Sequence, residues 1–217
     1  NILITGGAGF IGSNLSLKLI ERGYKVRVLD NLSTQIHGEN TSLSQLYLSI
    51  KDKVDFVEGD VRNLDDWKTA LKSQDAIIHL AAETGTGQSM YEIERYVNVN
   101  IRGTAILLDL LANSEHQIQK VVLASSRSIY GEGKYFCSKH HEVYPLERKE
   151  HHLSCGDFNP KCPVCNKTVE LKATDEQSKI HPSSIYGITK QNQEQMILVG
   201  CKSLDISAVA FRFQNVY

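Results

Sequence analysis

The stretch Ile2-Leu3-Ile4-Thr5-Gly6-Gly7-Ala8-Gly9-Phe10-Ile11-Gly12 decides how this chain folds. Apolar residues lead into a glycine-rich turn, and a helical pattern follows from Phe10. A buried strand therefore runs straight into a tight turn and a helix. Gly7-x-Gly9-x-x-Gly12 carries the spacing of a dinucleotide cradle, and Gly6-x-x-Gly9-x-x-Gly12 satisfies a second, related spacing. Glycine serves such a turn in three ways: it bends tightly, lets the backbone approach a pyrophosphate, and packs helix against strand. The positive end of the helix beginning at Phe10 and Ile11 then faces the phosphates. Asp30 closes the next apolar run, eighteen residues beyond Gly12. A carboxylate there accepts hydrogen bonds from an adenosine ribose and repels a 2′-phosphate. The expected cofactor is NAD rather than NADP. Asn31, beside Asp30, is assigned to the same pocket. Asp60 and Val61 follow the third strand; they either reach the adenine or form a surface turn.

The rest of the chain repeats the alternation. Strand-like runs fall at Ile2–Thr5, Lys25–Asp30, Val54–Glu58, Ala76–Leu80, Val121–Ala124 and Ile206–Phe211. Helical patterns lie near 10–22, 42–50, 64–72, 91–113 and 184–201. Short continuous apolar strands alternating with amphipathic helices predict an α/β fold, a doubly wound parallel sheet of the Rossmann type covered on both faces. In the helix near 91–113, Ile93, Val97, Ile101, Ala105 and Leu108 form one stripe, and Tyr96, Asn100 and Leu107 a neighbouring one.

The 217 residues are 41% hydrophobic and 23% charged, with a net charge of −1. That suffices for one sizeable core. No basic excess points to nucleic acid or to an anionic membrane surface. No apolar run approaches the roughly 20 residues that span a bilayer, and no secretory leader is visible. The expected setting is cytoplasmic. The chain begins at Asn1 rather than Met and ends at Tyr217 directly after a strand-like run. Both ends read as trimmed, with a C-terminal substrate region expected to be missing.

Tyr186-Gly187-Ile188-Thr189-Lys190 opens a helix that Ser183 or Ser184 can cap. Positions i and i+4 share a face. An ammonium beside a phenol favours the phenolate, and a general base works best with its pKa near ambient pH. The pair is therefore the main catalytic candidate, although exposed Tyr/Lys pairs are also common on helices. Ser125 and Ser126 follow the fifth strand, at the carboxyl edge where α/β ligands sit. Ser126 either hydrogen-bonds a reacting hydroxyl or is simply a polar strand end.

Residues 132–182 break the rhythm. They hold all four prolines, few apolar residues and no clear period. A structureless connection of that length is not expected inside a compact domain. Four of the five cysteines fall between 137 and 165. A chain of this size with a full α/β pattern does not need disulfides, so close cysteines read as a metal site. Cys137-x-x-His140 and Cys162-x-x-Cys165 supply two chelating pairs, a donor set that Zn²⁺ favours. His141 or Cys155 are alternatives to His140. Four ligands would close the site and make it structural. His151 and His152 read as solvated loop residues. The expected organisation is an NAD-binding domain from residues 1–131 and 184–217, with a small zinc-knuckle-like segment, 132–183, inserted between Ser126 and Tyr186.

With the glycine turn, Asp30, Ser125-Ser126-Arg127-Ser128-Ile129-Tyr130-Gly131 and Tyr186-x-x-x-Lys190 in this order, the chain resembles the extended short-chain dehydrogenase/reductases. Within them it is most similar to the NAD-dependent epimerase/dehydratase family, which acts on nucleotide sugars. His79-Leu80-Ala81-Ala82, Asn98-Val99-Asn100-Ile101-Arg102-Gly103-Thr104 and Arg212-Phe213-Gln214-Asn215-Val216-Tyr217 match further signature stretches, so the resemblance covers nearly the whole chain. It implies that Tyr186 is the acid/base, that Lys190 lowers its pKa and holds the nicotinamide ribose, and that Ser126 positions the sugar. It places Asn100 near the same ribose, and Leu80, Ala81 and Ala82 along the pocket. It also implies a homodimer packed through two helices per subunit, near 91–113 and 184–201.

Sugar 4,6-dehydratases need an acid pair directly after the catalytic hydroxyl residue, where this chain has Arg127 and Ser128. The resemblance thus favours a nucleotide-sugar 4-epimerase, which oxidises C4 transiently and returns the hydride to the opposite face. A net NAD-dependent dehydrogenase or reductase, or a non-catalytic NAD-binding interaction protein, are the alternatives. Tyr135-x-Cys137-x-x-His140, Pro145-x-x-Arg148 and Pro160-x-Cys162-Pro163-x-Cys165 are similar to an insertion in a subgroup of dTDP-L-rhamnose 4-epimerases, neighbours of the UDP-glucose 4-epimerases. His141 and Asn166 stand where that subgroup has glycine; Asn tolerates left-handed backbone.

Overall fold

The apolar runs pair in space much as they alternate in sequence. The structure is a computed structural model and describes residues 1–217. Its strands are β1 (Ile2–Thr5), β2 (Val26–Asp30), β3 (Asp55–Glu58), β4 (Ala76–His79), β5 (Lys120–Ser126), β6 (Tyr135–Cys137), β7 (His141–Val143), β8 (Glu170–Leu171) and β9 (Ser207–Phe213). Six of them form one sheet in the order β3-β2-β1-β4-β5-β9. Every pairing in it is parallel. The order reverses between β1 and β4. Ligands of doubly wound sheets sit outside the carboxyl ends of the strands at that switch point.

Side chains alternate across each strand, and both faces are covered. Leu3, Leu29, Ile77, Val121 and Leu123 pack with Trp67, Leu107, Leu111, Ile197 and Cys201 on one side. Ile4, Val26 and Val28 pack on the other with Ile50 and with Leu15 and Leu19 of the helix Phe10–Glu21. The helix Ile185–Ser203 is capped by Ser184, whose Oγ accepts from Gly187 N–H at 3.0 Å. No helix is long and apolar enough to cross a membrane.

Three local expectations are revised. β5 and β9 each extend beyond their apolar runs, because polar Ser125 and Ser126 continue the ladder opposite Arg212 and Phe213. The helical pattern near 42–50 is a short turn, Thr41–Leu43, followed by the helix Gln45–Ile50 with Ser44 as its cap. The helix near 91–113 is three pieces: Ile93–Tyr96, a wider π-turn at Val97–Arg102, and Gly103–Asn113. Of its two stripes, Tyr96, Asn100 and Leu107 face the core, while Ile93 and Val97 are exposed.

The segment between β5 and Ile185 carries a second, antiparallel sheet in the order β7-β6-β8. Its core is small: Tyr135, Cys137, Val143, Cys162 and Val169. His151 and His152 sit on a short helix, Glu150–Ser154. The segment leaves and returns through a narrow neck. His181 N–H donates to Ile129 O at 2.8 Å. Gly131, at φ +59°, has no room for a Cβ against the His181 carbonyl.

Candidate active site

The glycines of the opening turn do different work. Gly6 sits at φ +67°, and a Cβ there would lie 2.7 Å from Ala81 N. A Cβ on Gly12 would collide with the Gly6 carbonyl oxygen. Both positions are demanded by the packing of β1, β4 and the following helix. At Gly9 a Cβ would meet only the Gly6 oxygen, at 3.3 Å, and the residue borders an open cleft. Gly9 caps the helix Phe10–Glu21 with no side-chain bond. The first amides of an α-helix have no partner within the helix. Here they form an anion seat at the mouth of the cleft.

Asp30 ends β2 beside this seat. Its Oδ2 accepts from Ala8 N–H at 2.9 Å and its Oδ1 from Leu32 N–H at 2.9 Å. The carboxylate thus clamps the glycine turn. Each oxygen keeps a further lone pair for a ribose hydroxyl. Buried His37 lies 3.9 Å away, its Nδ1 paired with Ser44 Oγ at 2.7 Å. Burial would raise the carboxyl of Asp60, but the side chain and backbone N–H of Arg62 and the amide of Asn31 bring it down to about 2. Asn31 Nδ2 donates to Asp60 Oδ2 at 2.9 Å, so these two residues form one polar wall. Val61 lies beneath it, its carbonyl accepting from Trp67 Nε1–H at 2.7 Å.

The cleft occupies about 840 Å³, within the usual size of small-molecule sites. It runs from the glycine turn along Leu80-Ala81-Ala82 to Ser126, Tyr186 and Lys190. Every residue assigned to cofactor or catalysis from sequence borders it except Asn100. Asn100 is fully buried behind the wall. Its Oδ1 accepts from Glu83 N–H at 2.8 Å, and its Nδ2 donates to Glu83 O at 3.1 Å and Thr189 Oγ1 at 2.9 Å. Asn100 therefore positions the strip after β4 against the Tyr186 helix and does not touch the cleft itself.

Ser126 is buried at the end of β5, and its Oγ accepts from Ser128 N–H at 3.2 Å. Tyr186 meets the ring of Tyr96 edge-on, with centroids 6.3 Å apart. Burial raises the Tyr186 phenol above its ordinary value, and the Ser126 hydroxyl acts in the opposite direction. Lys190 is fully desolvated, which brings its ammonium down to about 7, with Glu194 opposing. Its Nζ donates to Gln193 Oε1 at 2.6 Å rather than to the phenol.

The sequence reading assigned no role to the polar groups beneath these residues. Gln193 Nε2 donates to Thr104 Oγ1 at 2.9 Å. His79 is sealed between Thr5 Oγ1, 2.7 Å from its Nδ1, and Thr104 Oγ1, 3.3 Å from its Nε2. Burial and the nearby Lys190 charge bring His79 down to about 3, so it is neutral. A second network joins Ser125 Oγ to Glu194 Oε2 at 2.5 Å and Glu194 to Arg212 Nη2 at 2.7 Å. Arg212 also reaches Tyr130 Oη and Glu176 O. Five consecutive polar residues, Lys190 to Glu194, on a helix packed against a sheet were the available signal.

A separate cluster lies in the inserted segment. Donor atoms of Cys137, His140, Cys162 and Cys165 all fall within 4.8 Å of one another. His141 is outside it, its ring against Phe136 at 5.9 Å, and Cys155 is exposed.

A helix N-terminus, the carboxylate that ends β2 and a Ser/Tyr/Lys group line one cleft at the switch point of this parallel sheet, the arrangement of a Rossmann-type fold. The sequence profile of the NAD dependent epimerase/dehydratase family matches residues 2–217, and the chain belongs to that family. It is 35% identical to dTDP-L-rhamnose 4-epimerase from Burkholderia thailandensis over 219 residues, covering all of this chain and 58% of that one. Its fold superposes on UDP-glucose 4-epimerase from Thermotoga maritima, solved with UDP-glucose, at TM-score 0.72 and 27% identity, covering all of this chain and 56% of the other. UDP-glucuronic acid 4-epimerase from Bacillus cereus, solved with UDP-glucuronic acid and NAD, gives TM-score 0.70 and 27% identity, with all of this chain and 57% of that one covered. The chain thus spans little more than half the length of these relatives.

Proposed function

We propose that this chain holds NAD and forms the cofactor-binding part of a nucleotide-sugar 4-epimerase acting on a dTDP- or UDP-hexose. The observation that carries this reading is one cleft joining the glycine turn and Asp30 at one end to Ser126, Tyr186 and Lys190 at the other. The residues fit the cofactor. The amides at Phe10, Ile11 and Gly12 receive the pyrophosphate, Gly9 leaves room for it, and the spare lone pairs of Asp30 take the adenosine ribose. Bound there, NAD would supply the hydride acceptor and donor for C4 of the sugar. Tyr186 Oη removes the C4 hydroxyl proton and later returns it. Ser126 Oγ–H donates its one hydrogen to the same oxygen. Lys190 supplies the cation that a phenolate requires. A phenolate beside it would in turn offset the cost of a buried ammonium.

Neither Arg127 nor Ser128 offers the carboxylate that water elimination requires, which supports epimerisation. Exposed Ile93 and Val97, with Leu198 and Val199 on the helix Ile185–Ser203, leave apolar side chains on both helices expected at a homodimer contact.

Tyr186→Phe tests the reading. We expect NAD binding to persist while epimerase turnover on a panel of UDP- and dTDP-hexoses falls by about 10²- to 10⁴-fold. Unchanged turnover would remove Tyr186 from the chemistry. NADH released in step with wild-type turnover would indicate a net dehydrogenase instead.

A further inference from the structure

We propose that the inserted segment holds one structural Zn²⁺ through Cys137 Sγ, His140 Nδ1, Cys162 Sγ and Cys165 Sγ. This stands independently of the cleft. The donors are spaced as the edges of a tetrahedron. Cys137 Sγ lies 3.7 Å from Cys165 Sγ and 3.6 Å from His140 Nδ1, and Cys162 Sγ lies 3.5 Å from the same nitrogen. Zinc bonds of ~2.3 Å to sulfur and ~2.0–2.1 Å to nitrogen give tetrahedral edges of about 3.8 Å and about 3.6 Å. A disulfide would need its sulfurs at ~2.05 Å. All five cysteines are free thiols.

The backbone is shaped for the same ligand twice over. Each chelating pair is followed by a left-handed residue, His141 at φ +60° and Asn166 at φ +57°. In the second turn Asn166 N–H donates to Cys162 O at 2.9 Å, and Cys162 N–H to Lys167 O at 2.8 Å.

Packing alone gives little reason for the segment to fold. Its core counts five buried residues, two of them these cysteines. Modules with so little apolar area rely on disulfides or a metal. Three thiolates and an imidazole, with no carboxylate, select a soft-to-borderline cation over Ca²⁺ or Mg²⁺. Four protein donors leave no open position, so the ion is structural.

Metal analysis and thiol accessibility on the purified protein test this. About one zinc per chain is expected. Exposed Cys155 should alkylate at once, while Cys137, Cys162 and Cys165 react only after a strong chelator. Exchange with cobalt(II) should give the intense visible bands of a tetrahedral thiolate site. Cys162→Ser should lose the metal and open residues 132–182 to protease. If that variant does not fold, the wild-type measurements decide. Well under one zinc per chain after purification without chelator, with all three thiols alkylating as fast as Cys155, would overturn the proposal. So would a disulfide among the three. NAD binding is read on the same sample, so failure of the knuckle and failure of the cleft reading are distinguishable.

Discussion

Lys190 is bonded to Gln193, three residues along its own helix, and not to Tyr186. The catalytic pair of the sequence is thus a triplet in space. Gln193 holds the ammonium in place, and Thr104 and His79 hold Gln193. This arrangement gives the buried Lys190 Nζ one neutral hydrogen-bond partner.

That cation makes stability depend on pH. Lys190 has an ordinary value of 10.5 in the unfolded chain, and burial brings it down to about 7 in the folded one. Between these values the unfolded chain binds more protons, so stability rises with pH across the window. In cofactor-free protein, the difference in unfolding free energy between wild type and Lys190→Met should shift in favour of wild type from pH 7 towards 10. Urea titrations at several pH values check it, and a flat difference would refute it.

Two glycines of the cradle should separate folding from binding. Gly12→Ala drives a methyl into the Gly6 carbonyl and should destabilise the fold by about 1–3 kcal/mol. Gly9→Ala meets a single oxygen at 3.3 Å and should cost under about 1 kcal/mol. Its methyl enters the anion seat, so NAD affinity should fall by roughly tenfold or more, about 1.4 kcal/mol. Thermal melts and cofactor titration of both variants provide the comparison.

Glu194 is buried and shared between Ser125 and Arg212. Removing one partner of a buried ion pair strands the other. Glu194→Ala should therefore cost about 3–5 kcal/mol, measured by urea denaturation. Glu194→Gln keeps the shape and should cost less. Equal losses for both would point to charge rather than packing.

The order of strands and the cradle were legible because their signals are local. Apolar runs of four to seven residues mark β1 to β5, and a glycine turn can be read from spacing alone. The hydrogen bonds of Asn100 were not legible because its π-turn and its partners Glu83 and Thr189 lie far apart in sequence. The lowered Tyr186 phenol was expected from an i,i+4 spacing. That spacing brings side chains to one face but does not decide whether Lys190 turns toward Tyr186 or toward Gln193. The ends of β5 and β9 were missed because burial there is polar: Ser125 and Arg212 are satisfied by Glu194 rather than by apolar contact. Cys-x-x-His and Cys-x-x-Cys were legible as pairs; only the pairing of β6 with β7 and β8 brings them together.

The neck at Ile129 and His181 has a bearing on how this protein can diversify. Both ends of the inserted chain are fixed side by side by the scaffold itself, before β6 begins. The entropy of closing a loop between anchored ends grows only with the logarithm of its length, about 0.6 kcal/mol per doubling. Residues can therefore be gained, lost or exchanged outside the neck at little expense to the sheet. The connection between Ser126 and Tyr186 is a port where new modules can be grafted while the chemistry on either side stays in register.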